Sequence, residues 1–129
     1  MATPYTLRKL TEVEDSAGKF GFSEIQEARF SSEALETERT GLSYHRINAG
    51  KRQAFGHKHD EAEEVYVVLS GSGRVKLDDE IVDLERLDAV RVAPEVTRAF
   101  EAGDDGLELL VFGARHEGDG ELIHGWWSA

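Results

Sequence analysis

The stretch GKRQAFGHKHDEAEEVYVVLSGSG, residues 50–73, carries both the chemistry of this chain and the pattern that decides its fold. His57 and His59 are two positions apart, and Glu64 opens the apolar run that follows them. Side chains two apart on a strand lie on the same face, so both imidazoles point one way while Lys58 points the other. A short polar turn after His59 lets the next strand bring Glu64 back towards the two rings. The stretch therefore predicts a hairpin with a His, His, Glu cluster on one face.

Two neutral imidazoles and one carboxylate are suitable ligands for a divalent transition metal. Such a three-ligand set leaves coordination positions open, and iron, zinc, nickel, manganese or copper can occupy it. The other interpretation is that the histidines and their acidic neighbours lie on a solvated polar turn, where histidine is common. The residues by themselves leave both interpretations open.

Short apolar segments continue on both sides of this stretch. The strand candidates are residues 42–47, 65–69, 74–77, 81–84, 89–92 and 107–112. Glycine and aspartate between them predict tight turns at residues 70–73, 78–80 and 103–106. Closely spaced antiparallel strands must bury one face against a second sheet or close on themselves, which gives a sandwich, a jelly roll or a small barrel. The number of strands favours a barrel-like jelly roll, an all-β fold.

The two ends of the chain are less regular. Residues 32–36 have a helix-like start and composition, and residues 24–30 could form an edge strand, so we predict a mixed, partly helical N-terminal segment. Near the other end, Trp126 and Trp127 are expected to pack on the barrel or on a partner subunit, because two bare tryptophans are costly.

Two further histidines follow the last strand candidate. His116 and His124 stand in a segment rich in glycine and acidic residues and are expected to be exposed.

Composition and charge limit the classes of function. The 129 residues are expected to form one domain, residues 1–129. A formal net charge of −11 argues against a nucleic-acid partner. The absence of cysteine excludes disulfides, thiol catalysis and cysteine-bound metal centres.

The chain also lacks sequence signals for a membrane or for export. No apolar segment approaches the ~20 residues that span a bilayer, so no membrane partner is expected. The first residues lack the basic and apolar regions of a signal peptide, which predicts a cytoplasmic location. No nucleotide cofactor is expected.

Five residues of the opening stretch stand at the spacing of a known motif: Gly50, His57, His59, Glu64 and Gly71. In this respect the sequence resembles the cupin superfamily, in particular its small single-domain members. The run EEVYVVLSGSG, residues 63–73, is also similar to that family. The resemblance implies a jelly-roll β-barrel of six to eight strands, with its core over about residues 42–112 and a pocket inside. It also implies that the protein is a homodimer and that the two histidines and Glu64 are the metal ligands.

The second cupin motif normally supplies a fourth ligand, a histidine shortly after a Pro-x-Gly turn. Here Pro94 matches the turn, but Glu95 stands in place of the glycine and Arg98 in place of the histidine. A guanidinium stays protonated and has no free lone pair, so Arg98 cannot bind a cation.

The replacement of the motif histidine by Arg98 leaves two possibilities open. Either Arg98 forms a bidentate pair with Glu64 and the pocket is free of metal, or the other three ligands keep the metal. In the second case Arg98 turns aside or binds an anionic group of a substrate.

Three more residues are candidates for contact with a small-molecule ligand. His45 lies on the strand before Gly50 and could face the cavity, even as a substitute ligand, or it could face outward. Tyr66 could present its hydroxyl to the pocket or serve as a core aromatic residue. Phe100 shares the face of Arg98 and is expected to line the cavity wall. No catalytic residue is assigned.

Three functions compete on this basis. The first is a small cupin enzyme that uses iron, manganese, nickel or zinc, as an oxygenase or an isomerase or lyase. The second is a metal-free module that binds a small molecule, in which Arg98 pairs with Glu64. The third is a structural or regulatory dimer with a degenerate pocket. A homodimer is further suggested by the apolar side of one strand, formed by Val65, Val67 and Leu69.

Overall fold

The computed structural model describes residues 4–115 and 120–128. This part of the chain contains eight strands: β1 Gln26–Phe30, β2 Thr40–Ile47, β3 Gly56–His59, β4 Glu64–Leu77, β5 Glu80–Leu84, β6 Ala89–Val92, β7 Arg98–Ala114 and β8 Gly120–Ile123. Two short helices, α1 Ser16–Lys19 and α2 Ser32–Leu35, flank β1, and 3-10 turns occupy Leu10–Glu12 and Trp126–Ser128. None of the helices in the described ranges is long and apolar enough to cross a bilayer.

All eight strands belong to one antiparallel sheet that is organised around β7. β7 pairs with β4 along most of its length, with β2 through its second half, and with β3 at the pair His57 and Arg98. β1 extends the sheet beyond β2, β8 lies beside β3, and β5 and β6 pair with β4. The sheet curls into a half-barrel. The predicted all-β, cupin-like fold with a short, partly helical N-terminal segment is confirmed.

The core follows from the two-residue period of the long strands. On β7, Phe100, Leu107 and Leu109 are each about 1% exposed, and they meet Val68 and Val75 of β4 inside the curl. Burial of this apolar surface is the main force that closes the sheet.

Two of the three predicted turns are wrong. Residues 70–73 lie inside β4 and residues 103–106 lie inside β7, where the pairing of the two strands shifts register at β-bulges. Glycine is needed there for close approach: a Cβ on Gly71 would stand 2.0 Å from the carbonyl oxygen of Gly106. The bulges bend both strands at the same level, so the strand candidates 65–69 and 74–77 form one strand.

The remaining local predictions agree better with the structure. A turn does separate β4 from β5, with Asp78 at a φ of 50°. β1 is an edge strand and α2 is a single helical turn, as the composition indicates. The structure also extends the strand candidate 107–112 towards the N-terminus, because β7 begins at Arg98.

The two C-terminal tryptophans pack on the sheet. The indole N–H of Trp127 donates to the carbonyl of Gln53 at 2.8 Å. Lys76 Nζ lies 4.3 Å from the Trp126 ring centroid and donates to the Trp126 carbonyl at 2.6 Å. His124 is exposed, as expected, with its ring against Phe55, whereas His116 lies outside the described residues.

The bulge on β4 predicts a sharp difference between two glycines that both have positive φ. Gly71 and Gly50 have φ of 77° and 71°, but nothing lies within 4 Å of a Cβ built on Gly50. We expect Gly50→Ala to cost about 1 kcal/mol, the strain of the left-handed backbone. Gly71→Ala should cost at least about 2 kcal/mol more, since its methyl group also collides with backbone.

Urea unfolding of both variants measures the difference. Equal losses of unfolding free energy would contradict the close approach of the two strands at the bulge.

Candidate metal centre

The hairpin of β3 and β4 brings the three candidate ligands together. His57 and His59 project from the same face of β3, and Glu64 is the first residue of β4. The Nε2 atom of His59 lies 3.2 Å from Glu64 Oε1, and that of His57 lies 3.6 Å from the same oxygen. One donor atom from each side chain falls within 4.8 Å of the others.

The donor set fits a divalent transition metal. Zinc, iron, manganese and nickel all bind imidazole nitrogens and carboxylate oxygens, and the site offers two of the first and one of the second. The two rings stand nearly perpendicular, at 88°, with centroids 5.3 Å apart, so neither blocks the other. The residues present are therefore able to hold such an ion from one side.

Glu64 is held in the ionised form. Burial alone raises the pKa of its carboxyl, but contacts with His57, His59 and Tyr66 outweigh burial and hold that pKa well below its usual range. A carboxylate that stays ionised is the form a metal ion requires.

Arg98 lies behind this carboxylate and has no exposed surface. Its Nη2 donates to Glu64 Oε1 at 3.1 Å and its Nε donates to the hydroxyl of Tyr66 at 3.1 Å. Its Nη1 donates to the carbonyl of Val96 at 2.6 Å and lies 3.3 Å from that of Pro94.

The predicted pair between Arg98 and Glu64 is thus present in the structure, but the predicted bidentate geometry is wrong. The other terminal nitrogen of the guanidinium, Nη1, donates to backbone carbonyls of the turn before β7. Arg98 therefore contacts only one carboxylate oxygen of Glu64, Oε1.

Tyr66 links the arginine to the carboxylate. Its hydroxyl donates to Glu64 Oε1 at 2.6 Å, accepts from Arg98 Nε, and lies 3.4 Å from His57 Nε2. Burial, followed by the charge of Glu64, raises the pKa of Tyr66 above its usual range. The phenol therefore keeps its proton and serves as a donor beside the cluster.

A cavity of about 390 Å³ opens in front of the cluster. Tyr66, Phe100 and His45 line it together with His57, His59 and Glu64, whereas Arg98 is not among the described residues of its wall. The ring of Phe100 packs 4.7 Å from that of Tyr66. Tyr66 thus belongs to the hydrophobic core and also lines the cavity.

His45 faces the cavity from β2, on the same side of the strand as Ser43. Its Nε2 lies 2.9 Å from Ser43 Oγ, while its Nδ1 is buried and has no hydrogen-bond partner. Burial, assisted by His57, lowers the pKa of His45 to about 4, so the ring is neutral at pH 7. His45 is not part of the three-residue ligand group.

Sequence reasoning missed the part of the wall that comes from the N-terminal segment and the loop before β3. Phe20, Phe22, Phe30 and Phe55 all line the cavity. Phe30 is the last residue of β1, but Phe20, Phe22 and Phe55 lie outside the strands and helices, and the two-residue spacing of Phe20 and Phe22 is a weak local signal.

The contacts of Glu64 predict how stability depends on pH. Because its folded pKa is depressed, Glu64 contributes full stability above the unfolded value of 4.5 and loses that contribution as the pH falls below it. Glu64→Gln should lower stability at pH 7 by about 3 kcal/mol, since Arg98 loses its buried countercharge.

The difference in unfolding free energy between wild type and Glu64→Gln should then become smaller as the pH falls from about 5 to about 3. Thermal unfolding across that range measures it. Glu63→Gln is the matched control, since Glu63 is an exposed neighbour paired with Arg91 at 3.2 Å and should keep the wild-type slope. A gap of constant size would contradict an ionised Glu64 with a depressed pKa.

Comparison with known proteins identifies the family. Residues 43–113 match the cupin domain family, which is more than half of the chain. The fold is similar to a cupin protein from Bacteroides fragilis (22% identity, 91% of this chain and 89% of that chain covered, TM-score 0.70). It is also similar to a sugar phosphate isomerase of the cupin superfamily from Silicibacter pomeroyi (14%, 93% and 93%, 0.70). A third similar structure is oxalate decarboxylase from Bacillus subtilis (20%, 95% and 33%, 0.74).

These identities show a shared fold and no more, and no curated protein matches the sequence of this chain. The domain match covers the curled sheet from β2 to β7, including both strands that carry the candidate ligands. On that match, the chain belongs to the cupin family.

Proposed function

We propose that this protein binds one divalent transition metal through His57, His59 and Glu64, and that a small molecule in the adjoining cavity completes the coordination of the ion. The observation that carries the proposal is that one nitrogen from each histidine and one carboxylate oxygen lie within 4.8 Å of one another beside the cavity. Three protein ligands on one side leave positions open on the other.

The chemistry would then be divided between the ion and the protein. When bound, the ion would supply a Lewis acid or an oxygen-binding centre, suited to an oxygenase, an isomerase or a lyase. Tyr66 holds a proton beside the cluster, and its hydroxyl donates that proton to Glu64 Oε1, which orients the carboxylate. The apolar wall excludes water from the reacting molecule, which strengthens electrostatic interactions inside.

Two of the structurally similar proteins are enzymes by name, the sugar phosphate isomerase from Silicibacter pomeroyi and the oxalate decarboxylase from Bacillus subtilis. These names support a catalytic use of the cavity and leave the reaction open, because the similarity lies in the fold.

A second candidate function is favoured by the contacts of one atom. Glu64 Oε1, the oxygen nearest the histidines, already accepts from both Tyr66 and Arg98. A divalent ion a few ångströms from a guanidinium is repelled by several kcal/mol at an effective dielectric of about 20. In this alternative the cavity binds its small molecule without metal, and His57 and His59 act as hydrogen-bonding groups or as an acid/base pair.

Metal content separates the two functions. Protein purified without a metal-affinity tag should contain about one equivalent of iron, manganese, nickel or zinc per chain by elemental analysis. His59→Ala should lose it, and Glu63→Gln should keep it, because Glu63 is exposed and outside the cluster. A chain that stays metal-free after incubation with all four ions would support the alternative.

Arg98→His tests the same proposal through an expected gain in metal affinity. If Arg98 stands where a fourth ligand would, the imidazole should raise metal affinity at least about tenfold, and Arg98→Met, which removes only the charge, should raise it less. Circular dichroism checks that both variants fold. Equal affinities of Arg98→His and Arg98→Met would contradict this placement of Arg98.

We also propose that the protein is a homodimer, joined through the outer face of β4. Val65, Val67 and Leu69 lie there, only half-buried in the single chain. Sedimentation at micromolar concentration should show a dimer that Val67→Glu dissociates. Ile81→Glu on β5, where Ile81 is 51% exposed, is the control and should leave the dimer intact. A wild-type monomer would contradict the proposal.

A further inference from the structure

Phenylalanine is the most frequent residue in the described wall of the cavity in front of the candidate metal centre. Five of the chain's six phenylalanines line it: Phe20, Phe22, Phe30, Phe55 and Phe100. The five come from the N-terminal segment, the edge strand β1, the loop before β3 and strand β7, so no single element explains their convergence. Aromatic walls favour flat, apolar ligands, which they contact edge-on or in offset stacks.

Four of these phenylalanines contact another aromatic ring: Phe22, Phe30, Phe55 and Phe100. Phe22 meets Phe55 edge to face with ring centroids 5.4 Å apart, and Phe100 packs on Tyr66 beside the metal centre. At the mouth, Phe20 and Phe30 are 70% and 60% exposed although both line the cavity. Exposed apolar side chains of this kind commonly mark a binding surface for apolar molecules.

The same wall lacks what a phosphate needs. Phosphoryl groups are held by Arg or Lys side chains or by free N–H groups at helix ends, and no Arg or Lys is among the described lining residues. The start of α1 does reach the cavity, but its Ala17 N–H is already bonded to the Asp15 carboxylate at 3.0 Å. Arg98 is enclosed behind Tyr66 and Glu64.

The described part of the wall includes a buried polar atom that a ligand can contact. His45 Nδ1 is buried and has no hydrogen-bond partner, while the other nitrogen of the ring is engaged by Ser43. A buried polar atom without a partner costs free energy, which a bound ligand with one matching group would recover. The ring of Phe30 meets that of His45 edge to face at 5.4 Å, so this polar atom belongs to a ring that packs against a phenylalanine of the wall.

We propose that the cavity binds a small, uncharged aromatic molecule of one or two rings, with its rings among the phenylalanines and a hydroxyl or carbonyl group hydrogen-bonded to His45 Nδ1. The volume agrees, because about 150 Å³ holds a benzene molecule and the cavity offers about 390 Å³. The inference deepens the proposed function, since a ligand seated here lies against the metal centre, and in that respect it rests on that function.

The test uses 2-naphthol, a fluorescent two-ring compound that is uncharged at pH 7, with naphthalene and ribose 5-phosphate as comparison ligands. We expect 2-naphthol to bind one to one, with a Kd at least about tenfold below that of ribose 5-phosphate. Naphthalene lacks the hydroxyl and should bind at least about fivefold more weakly than 2-naphthol.

Two variants of β2 locate the hydrogen bond. His45→Leu keeps an apolar side chain of similar size but removes the nitrogen, so it should abolish the preference for 2-naphthol over naphthalene. Tyr44→Phe is the matched control, because Tyr44 is the next residue and its hydroxyl donates to Glu108 outside the cavity. It should keep the full preference.

Tighter binding of ribose 5-phosphate, no binding of 2-naphthol, or an unchanged preference in His45→Leu would each overturn the inference. Metal is measured on the same wild-type samples after incubation with iron, manganese, nickel and zinc. Binding of 2-naphthol to a wild-type chain that stays metal-free would overturn the proposed metal centre alone, whereas a metal-loaded chain that does not bind 2-naphthol would overturn the aromatic ligand alone.

Discussion

The burial of the Arg98 guanidinium is the constraint on which the rest of the site depends. A charge with no exposed surface is tolerated only when it is paired and its N–H groups are bonded. Arg98 meets this condition with the Glu64 carboxylate, the Tyr66 hydroxyl and carbonyls of the turn at residues 93–96. The same bonds fix the side chain of Glu64 towards the histidines and tie the end of β6 to the start of β7.

This arrangement explains how a cupin can lack the fourth ligand of its family and still present an ordered site. The position opposite His57 in the β3 and β7 pairing carries Arg98, which supports the carboxylate from behind. Among the described residues, His57, His59 and Glu64 then remain as candidate metal ligands, with the cavity in front of them. Arg98 lowers the negative charge that Glu64 presents, so we expect weaker metal binding than four neutral and anionic ligands would give.

The part of the site that the sequence predicted rests on local geometry. The two-residue period of a strand places His57 and His59 on one face. The turn after them is short, so Glu64 at the start of the next strand must lie close to the two rings. The errors have equally physical origins. Glycine serves both tight turns and β-bulges, so Gly71 and Gly106 look alike in the sequence whether the chain reverses or only bends. The single contact between Arg98 and Glu64 depends on carbonyls of a turn, which no side-chain pattern encodes.

The aromatic wall shows a different limit of sequence reasoning. Phe20, Phe22 and Phe55 come from irregular segments, and tertiary packing alone brings them to the cavity beside Phe100. In this protein the sheet therefore supplies the candidate ligands and part of the apolar wall, and the loop before β3 and the N-terminal segment add three phenylalanines to that wall. Loops commonly carry specificity in this way on a rigid scaffold.

The most direct test of the central claim is anomalous diffraction from crystals of the full chain grown with manganese. The account predicts one strong anomalous peak within bonding distance of His57 Nε2, His59 Nε2 and a Glu64 carboxylate oxygen, with Arg98 still bonded to Tyr66. An absent peak, or a peak away from these three side chains, with Glu64 Oε1 still held by Arg98 and Tyr66, would contradict it.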